Sequence, residues 1–245
     1  MDEIKTKGIV IKASDYKDSD KLVTIFSADK GIIKVRARGV KKPKAKLAFA
    51  AQPFAFVDYI LAAKGGFYTV INASSIDQFY DITTDFDKYV FCLACLEVCE
   101  KTIKENDPSH DLFLLLLTAF KLVSYGKASP MVVFIKFMLE ALKYLGFALH
   151  LSTCACCDSS LPSKLFAFSY DYNGMLCAKC SNKIEYLELT AGECAILKNI
   201  NITDAEKLEN LKFISRNDLV SVIGLLCKIF RMSTDEEIES IKKFL

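Results

Sequence analysis

Signatures of catalysis are missing from this 245-residue chain. It has no phosphate-binding glycine-rich loop, no dinucleotide fingerprint and no nucleophile elbow. That sets aside P-loop phosphoryl transfer, hydride transfer on a dinucleotide and serine acyl transfer. Two histidines occur, His110 at an expected helix start and His150 in a loop, and the chain is read as a non-enzyme. Long apolar runs are missing too. The most apolar stretch, Leu112–Val123, is twelve residues broken by Thr118 and Lys121, where a membrane span needs about 20. The first residues, MDEIKTKG, carry charge where a secretion signal has an apolar run. The expectation is a soluble intracellular protein whose ten cysteines stay reduced. At 52% hydrophobic residues it can bury a large core, with length for two domains.

Carboxylates are absent from one further place. Between positions 34 and 46 lie seven cations, Lys34, Arg36, Arg38, Lys41, Lys42, Lys44 and Lys46, with no acidic residue among them. The stretch is GIIKVRARGVKKPKAKLAFAAQPF from Gly31. At period two, Ile33, Val35 and Ala37 fall on one face of a strand and Lys34, Arg36 and Arg38 on the other. Cations two apart on a strand are about 6.6 Å from one another, a spacing that lets each meet its own phosphate along an extended polynucleotide. A charge run is also what a plain solvated face looks like. Charge sorting favours a site. Residues 1–80 hold fourteen Lys and Arg against eight Asp and Glu, a surplus of six, while the whole chain is +2, so the remainder carries −4. Phe49, Phe54, Phe56 and Tyr59 follow the run and are expected to offer flat faces to bases.

Around this stretch the pattern predicts five short strands: 4–12, 21–27, the basic strand, 53–60 and 67–73. They suit a small closed barrel. The oligonucleotide-binding (OB-fold) barrel leads on strand count and basic surface, and an SH3-like barrel has a similar count. From Thr84 the period becomes helical. A first helix carries Phe86, Tyr89, Val90, Leu93, Leu96 and Ile103, a second is capped by Ser109, and a third starts at Ser129-Pro130; the three are expected to form a bundle. Cys92, Cys95 and Cys99 on the first helix read as core. Capping boxes at Thr190–Glu193 and Ser233–Glu236 predict helices over 191–199 and 234–244, with another over 218–232. The expected class is α+β. A barrel over residues 1–80 is followed by an all-α domain over 81–245, with an insertion at about 150–184.

The insertion holds Cys154-x2-Cys157, nineteen residues, then Cys177-x2-Cys180. Two such knuckles at this separation predict one structural Zn2+ per chain, four thiolates completing a tetrahedron. A closed set leaves no open position for water, so the metal would hold a fold and do no chemistry. Cys156 lies between the first two ligands and is taken as a spectator, since a CxxC turn aims its outer residues inward.

The order of parts resembles the RecO family of bacterial recombination mediators. The likeness rests on GIVIKASDYKDSDKLVTIFSADKG near the start, ARGVKKPKAKLAFAAQPF over 37–54, and FMLEALKYLGFALHLSTCACC over 137–157 running into NGMLCAKC. Asp158 stands where the family usually has glycine after the first knuckle. The resemblance implies a cytoplasmic, nucleoid-associated, non-enzymatic DNA-repair protein. Such a protein binds single-stranded and double-stranded DNA, anneals complementary strands and, with RecR, helps load RecA onto strands coated by single-strand-binding protein. The alternative reading is a zinc-containing OB-fold RNA-binding protein, because a phosphate stripe serves both polymers.

Overall fold

A computed structural model describes residues 2–162, 165–212 and 215–244. The chain divides into two compact units, Met1–Ser124 and Tyr125–Leu245, and no described helix is long and apolar enough to cross a membrane.

In the first unit five strands close a barrel: β1 (Asp2–Tyr16), β2 (Asp20–Ser27), β3 (Gly31–Ala37), β4 (Phe56–Lys64) and β5 (Phe67–Asp77). Around the barrel they run β1-β2-β3-β5-β4, with β4 pairing back onto β1. β1 is long enough to serve two neighbours, and an irregularity between Val10 and Lys12 bends it from one to the other. Closure is a short parallel pairing of Val35 and Arg36 with Tyr68 and Thr69. This order and closure make it the OB-fold barrel rather than the SH3-like alternative. Alternation fills the inside with Val10, Val23, Ile25, Ile33, Val35, Leu61 and Val70.

The basic loop after β3 does not stay outside. It returns as a 3-10 turn over Ala48–Ala51, whose Ala50 and Ala51 join the barrel core. The buried Tyr59 hydroxyl donates to the Ala50 carbonyl at 2.8 Å, which satisfies the phenol and pins the returning chain.

Two helices complete the unit, α1 (Phe86–Thr102) and α2 (His110–Tyr125). Phe113 and Phe120 of α2 meet Phe26, Phe54 and Phe56 edge to face at centroid distances of 5.2–5.9 Å. On α1 the expected stripe holds only in part. Phe86 and Tyr89 are exposed, while Val90, Phe91, Ala94, Leu96 and Val98 are buried together with Cys92, Cys95 and Cys99. The cysteines are thus core, and burial pushes their thiols up. Ser109 opens α2 but does not cap it by side chain: its buried hydroxyl has no hydrogen-bond partner among the described residues, and its carbonyl accepts from the Phe113 N–H. Gly31 takes φ +64° where β3 begins, and a Cβ there would collide with the Asp107 backbone.

The second unit is built on α3 (Pro130–Tyr144), which starts with proline and ends before Gly146. Ten of its fifteen residues are buried. It needs cover on most sides, and receives it from α5 (Ala191–Ile202) and α6 (Arg216–Thr234). The helix group of this unit is therefore α3, α5 and α6. Of the three helices expected to form a bundle, α1 and α2 fall in the first unit, where α2 packs on the barrel, and α3 falls in the second. The capping box at Thr190–Glu193 is present in full. The second one is not. Ser233 and Thr234 end α6, Asp235 turns left-handed at φ 60°, and only a short 3-10 turn, Glu239–Ile241, follows where a helix over 234–244 was expected. Ile238 and Ile241 are both buried, and their three-residue spacing fits that short turn without a longer helix.

Between α3 and α5 lie three short strands, β6 (Ala167–Ser169), β7 (Gly174–Leu176) and β8 (Leu187–Glu188), in the order β7-β6-β8, and the one-turn α4 (Ala178–Ser181). They make the frame for the cysteines.

Candidate nucleic-acid interface and metal centre

On β3 the alternation is as expected: Ile33, Val35 and Ala37 are buried, and the cations point outward. The seven cations fall into two groups. Arg36 is clasped by Asp20: its Nε and Nη2 donate to Asp20 Oδ2 at 2.8 and 2.6 Å. The other oxygen of Asp20 accepts from the Gly39 backbone N–H at 2.8 Å. That backbone donor and the guanidinium hold the Asp20 carboxyl below its ordinary value of 3.8. Lys41 pairs with Asp15 at 2.6 Å, and its backbone N–H donates to the Ser19 carbonyl at 3.0 Å, tying the basic loop to the β1–β2 turn. Lys34 is paired with Glu105, which raises its pKa above the ordinary 10.5. Glu105 sits beside the start of β3 because the Asn106 N–H donates to the Ile32 carbonyl at 3.2 Å. Arg38, Lys42, Lys44 and Lys46 are exposed and have no carboxylate partner among the described residues. The free positive charge thus lies beyond the C-terminal end of β3, away from Lys34.

The aromatic residues after the run do not form stacking faces. Phe54 is 2% exposed and Tyr59 is 0% exposed. Phe56 is half-buried with its ring edge-on to Phe113, and Phe49 packs against the barrel core. The reason is the return of the loop: the chain that leaves with its lysines in water comes back to the barrel, where Tyr59 joins the core and Phe49 packs against it, and it turns the Phe54 and Phe56 rings onto Tyr89, Phe113 and Phe120 of the two helices.

The sulfurs of Cys154, Cys157, Cys177 and Cys180 all lie within 4.8 Å of one another. Cys157 is 3.7 Å from Cys177 and 3.6 Å from Cys180. A tetrahedron with metal–sulfur distances of about 2.3 Å has edges of about 3.8 Å, so the group fits a metal ion of zinc's size. The first knuckle is closed by the Asp158 N–H donating to the Cys154 carbonyl at 2.9 Å, and Asp158 adopts φ 57°, the conformation glycine would supply. The second starts α4, where the Cys180 and Ser181 N–H groups donate to the Cys177 carbonyl. Backbone bonds between His150 and Asn173, Met175 and His150, and Ala155 and Met175 join the two knuckles. Gly174 is needed there because a side chain would meet His150 and Ala155. His150 therefore contributes its backbone to the knuckle, while the residue as a whole is exposed. Hydrogen bonding from Ser159, followed by the Cys180 N–H, lowers the Cys177 thiol to about 6, and Ser159 lowers Cys157 too. Cys156 is exposed and outside the group of four.

Comparison with known proteins settles the lineage. The family model described as Recombination protein O N terminal matches residues 1–79, and Recombination protein O C terminal matches residues 83–223. This chain belongs to the RecO family. A DNA repair protein RecO from Acetivibrio thermocellus is 30% identical over 98% of this chain and 93% of its own length. Another from Caldicellulosiruptor bescii is 28% identical over 88% of this chain and 86% of its own. One from Shouchella clausii is 32% identical over 74% and 70%.

All seven cations fall within the RecO N-terminal match and all four cysteines within the C-terminal one. Residues that the sequence reading passed over are Asp20, Asp15 and Glu105, which decide which cations are free. Asp15 and Asp20 stand among the lysines of the β1–β2 turn, where their sign was visible. Glu105 is 71 residues from Lys34 and carries no local signal.

Proposed function

We propose that this RecO protein binds single-stranded and double-stranded DNA through the basic end of its barrel and anneals complementary strands there. In the same proposal it acts with RecR to help load RecA onto strands coated by single-strand-binding protein. The observation that carries this is the set of four unpaired cations, Arg38, Lys42, Lys44 and Lys46, on an OB-fold barrel in a RecO chain. A cation displaces the counterions condensed on DNA best when no carboxylate already neutralises it, so these four give the strongest contacts, with Arg36 and Lys41 as fixed flanking charges and Lys34 the weakest of the seven. Two strands drawn to one positive surface repel each other less, which favours annealing without any covalent chemistry. The nucleic-acid module is residues 1–80, and residues 81–245 support it and receive protein partners.

Zn2+ held by Cys154, Cys157, Cys177 and Cys180 is the second part of the proposal. It would reinforce the small apolar cluster that Ala167 of β6 and Leu176 of β7 make with the knuckle cysteines. The protein works in the bacterial cytoplasm, on the nucleoid. The test is annealing of complementary strands precoated with single-strand-binding protein, by the intact protein and by a variant with Arg38, Lys42, Lys44 and Lys46 replaced by Ala. Loss of annealing in the variant supports the reading. Equal annealing by both, or a preference for RNA in a competition between the polymers, overturns it.

A further inference from the structure

With Phe54 and Tyr59 in the core, the basic end of the barrel has a different exposed ring available, Tyr16. Tyr16 ends β1, and in the β1–β2 register it stands opposite Asp20, the residue that clasps Arg36. Directly opposed residues on neighbouring strands share a face. Arg36 lies opposite Leu22, which lies opposite Ser14, so Tyr16, Ser14, Asp20, Leu22 and Arg36 occupy one outward face. The Arg36 guanidinium carbon is 5.3 Å from the Tyr16 ring centroid and Lys17 Nζ is 5.6 Å from it, both within cation–π range. Because Asp20 fixes Arg36 by two hydrogen bonds, the guanidinium is held in place over the ring and steadies it. With both cations in place Tyr16 is still 41% exposed. Phe67, at the β4–β5 turn, is more exposed but has no described ring or cation contact to hold it.

We infer that Tyr16 is the stacking platform of this surface: an unpaired base lies on its ring while Lys17 and the loop lysines take the neighbouring phosphates. This rests on the DNA-binding reading above and adds to it a preference. Every unpaired base has a free face to stack, whereas bases in a duplex are already stacked on one another. Phosphate contacts alone serve both forms, so the ring is what favours the single strand. It discriminates by availability of the base and not by its identity, which suits a protein that must take any sequence.

The chain contains no tryptophan, so one introduced at this position is a clean fluorescent reporter. The full-length protein is compared with Tyr16→Ala, Tyr16→Phe, Tyr16→Trp and, as a reporter elsewhere, Phe86→Trp at another exposed aromatic site. Affinities for a labelled mixed-sequence single strand and for its duplex are measured at one salt concentration. Tyr16→Ala is expected to weaken single-strand binding about tenfold and leave duplex binding within about twofold, while Tyr16→Phe keeps the affinity of the wild type. The single strand is expected to quench the indole fluorescence of the Tyr16→Trp protein and to leave that of the Phe86→Trp protein unaffected. Equal weakening toward both forms, or no quenching of the Tyr16→Trp protein at saturating single strand, overturns the platform while DNA binding stands. If the intact protein binds neither form in dilute buffer, the DNA-binding reading falls and the platform with it.

Discussion

The division of the seven cations into paired and unpaired groups can be tested by the salt dependence of binding. For a single strand, log K falls with log salt by about 0.7 for each phosphate neutralised. Replacing Arg38, Lys42, Lys44 and Lys46 by Ala removes four such contacts and should flatten the slope by about 2.8. Between 50 and 200 mM salt, wild type should therefore lose about 50-fold more affinity than the variant over the same range. A double variant, Lys34→Ala with Lys41→Ala, gives the contrast. Those two ammonium groups already face Glu105 and Asp15, and a phosphate must compete with a carboxylate for each. Their joint effect should be well below the 1.4 or so that two free cations would give. Fluorescence anisotropy of a labelled oligonucleotide, titrated at about five salt concentrations, measures both slopes. A quadruple variant with the wild-type slope would show that these cations do not meet phosphate. A double variant that flattens the slope as much per residue would show that the ion pairs do not decide which charges are available.

Removing metal with a chelator should release about one zinc per chain and loosen the 150–184 segment; Cys154→Ser should purify without metal and Cys156→Ser with it, read by elemental analysis. Phe54→Ala should lower stability by about 3–5 kcal/mol in urea unfolding, yet leave the DNA affinity of the folded protein unchanged, since the ring is core. Asp20→Asn should lower the melting temperature at pH 7. Because folding holds the Asp20 carboxyl below its ordinary 3.8, its contribution is complete above that value and is lost as pH falls through the folded one, so the two melting curves should converge below about pH 4.

How far the sequence could be read depended on the range of the interactions involved. β3 was legible because from Ile33 to Ala37 its burial alternates, with apolar residues on one face and cations on the other. The knuckles were legible because their spacing is a local requirement of metal geometry, and even Asp158, unfavourable on paper, takes the required left-handed turn. The box at Ser233–Glu236 misled because hydroxyl and carboxylate three apart also occur where a helix ends, and the apolar stripe of α6 decides which end it is. The stripe on α1 was drawn too narrowly because burial on that helix also takes in Phe91, Ala94 and Val98, off the expected positions. The aromatics after the basic run were misassigned because only the fold reveals that the lysine-rich loop turns back onto the barrel core and that α1 and α2 cover Phe54 and Phe56.

The clasp between Asp20 and Arg36 has a kinetic consequence. It leaves the surface with one stationary guanidinium beside Arg38, Lys42, Lys44 and Lys46, long, pliant arms with no carboxylate partner among the described residues. If the proposed DNA binding holds, strands gripped by such a fringe would not be locked in register; each would creep lengthwise over the protein while staying attached. Under the same proposal, two partners brought together out of step would shuffle until their sequences coincide, at which point the double helix they form, and not the protein, fixes the outcome.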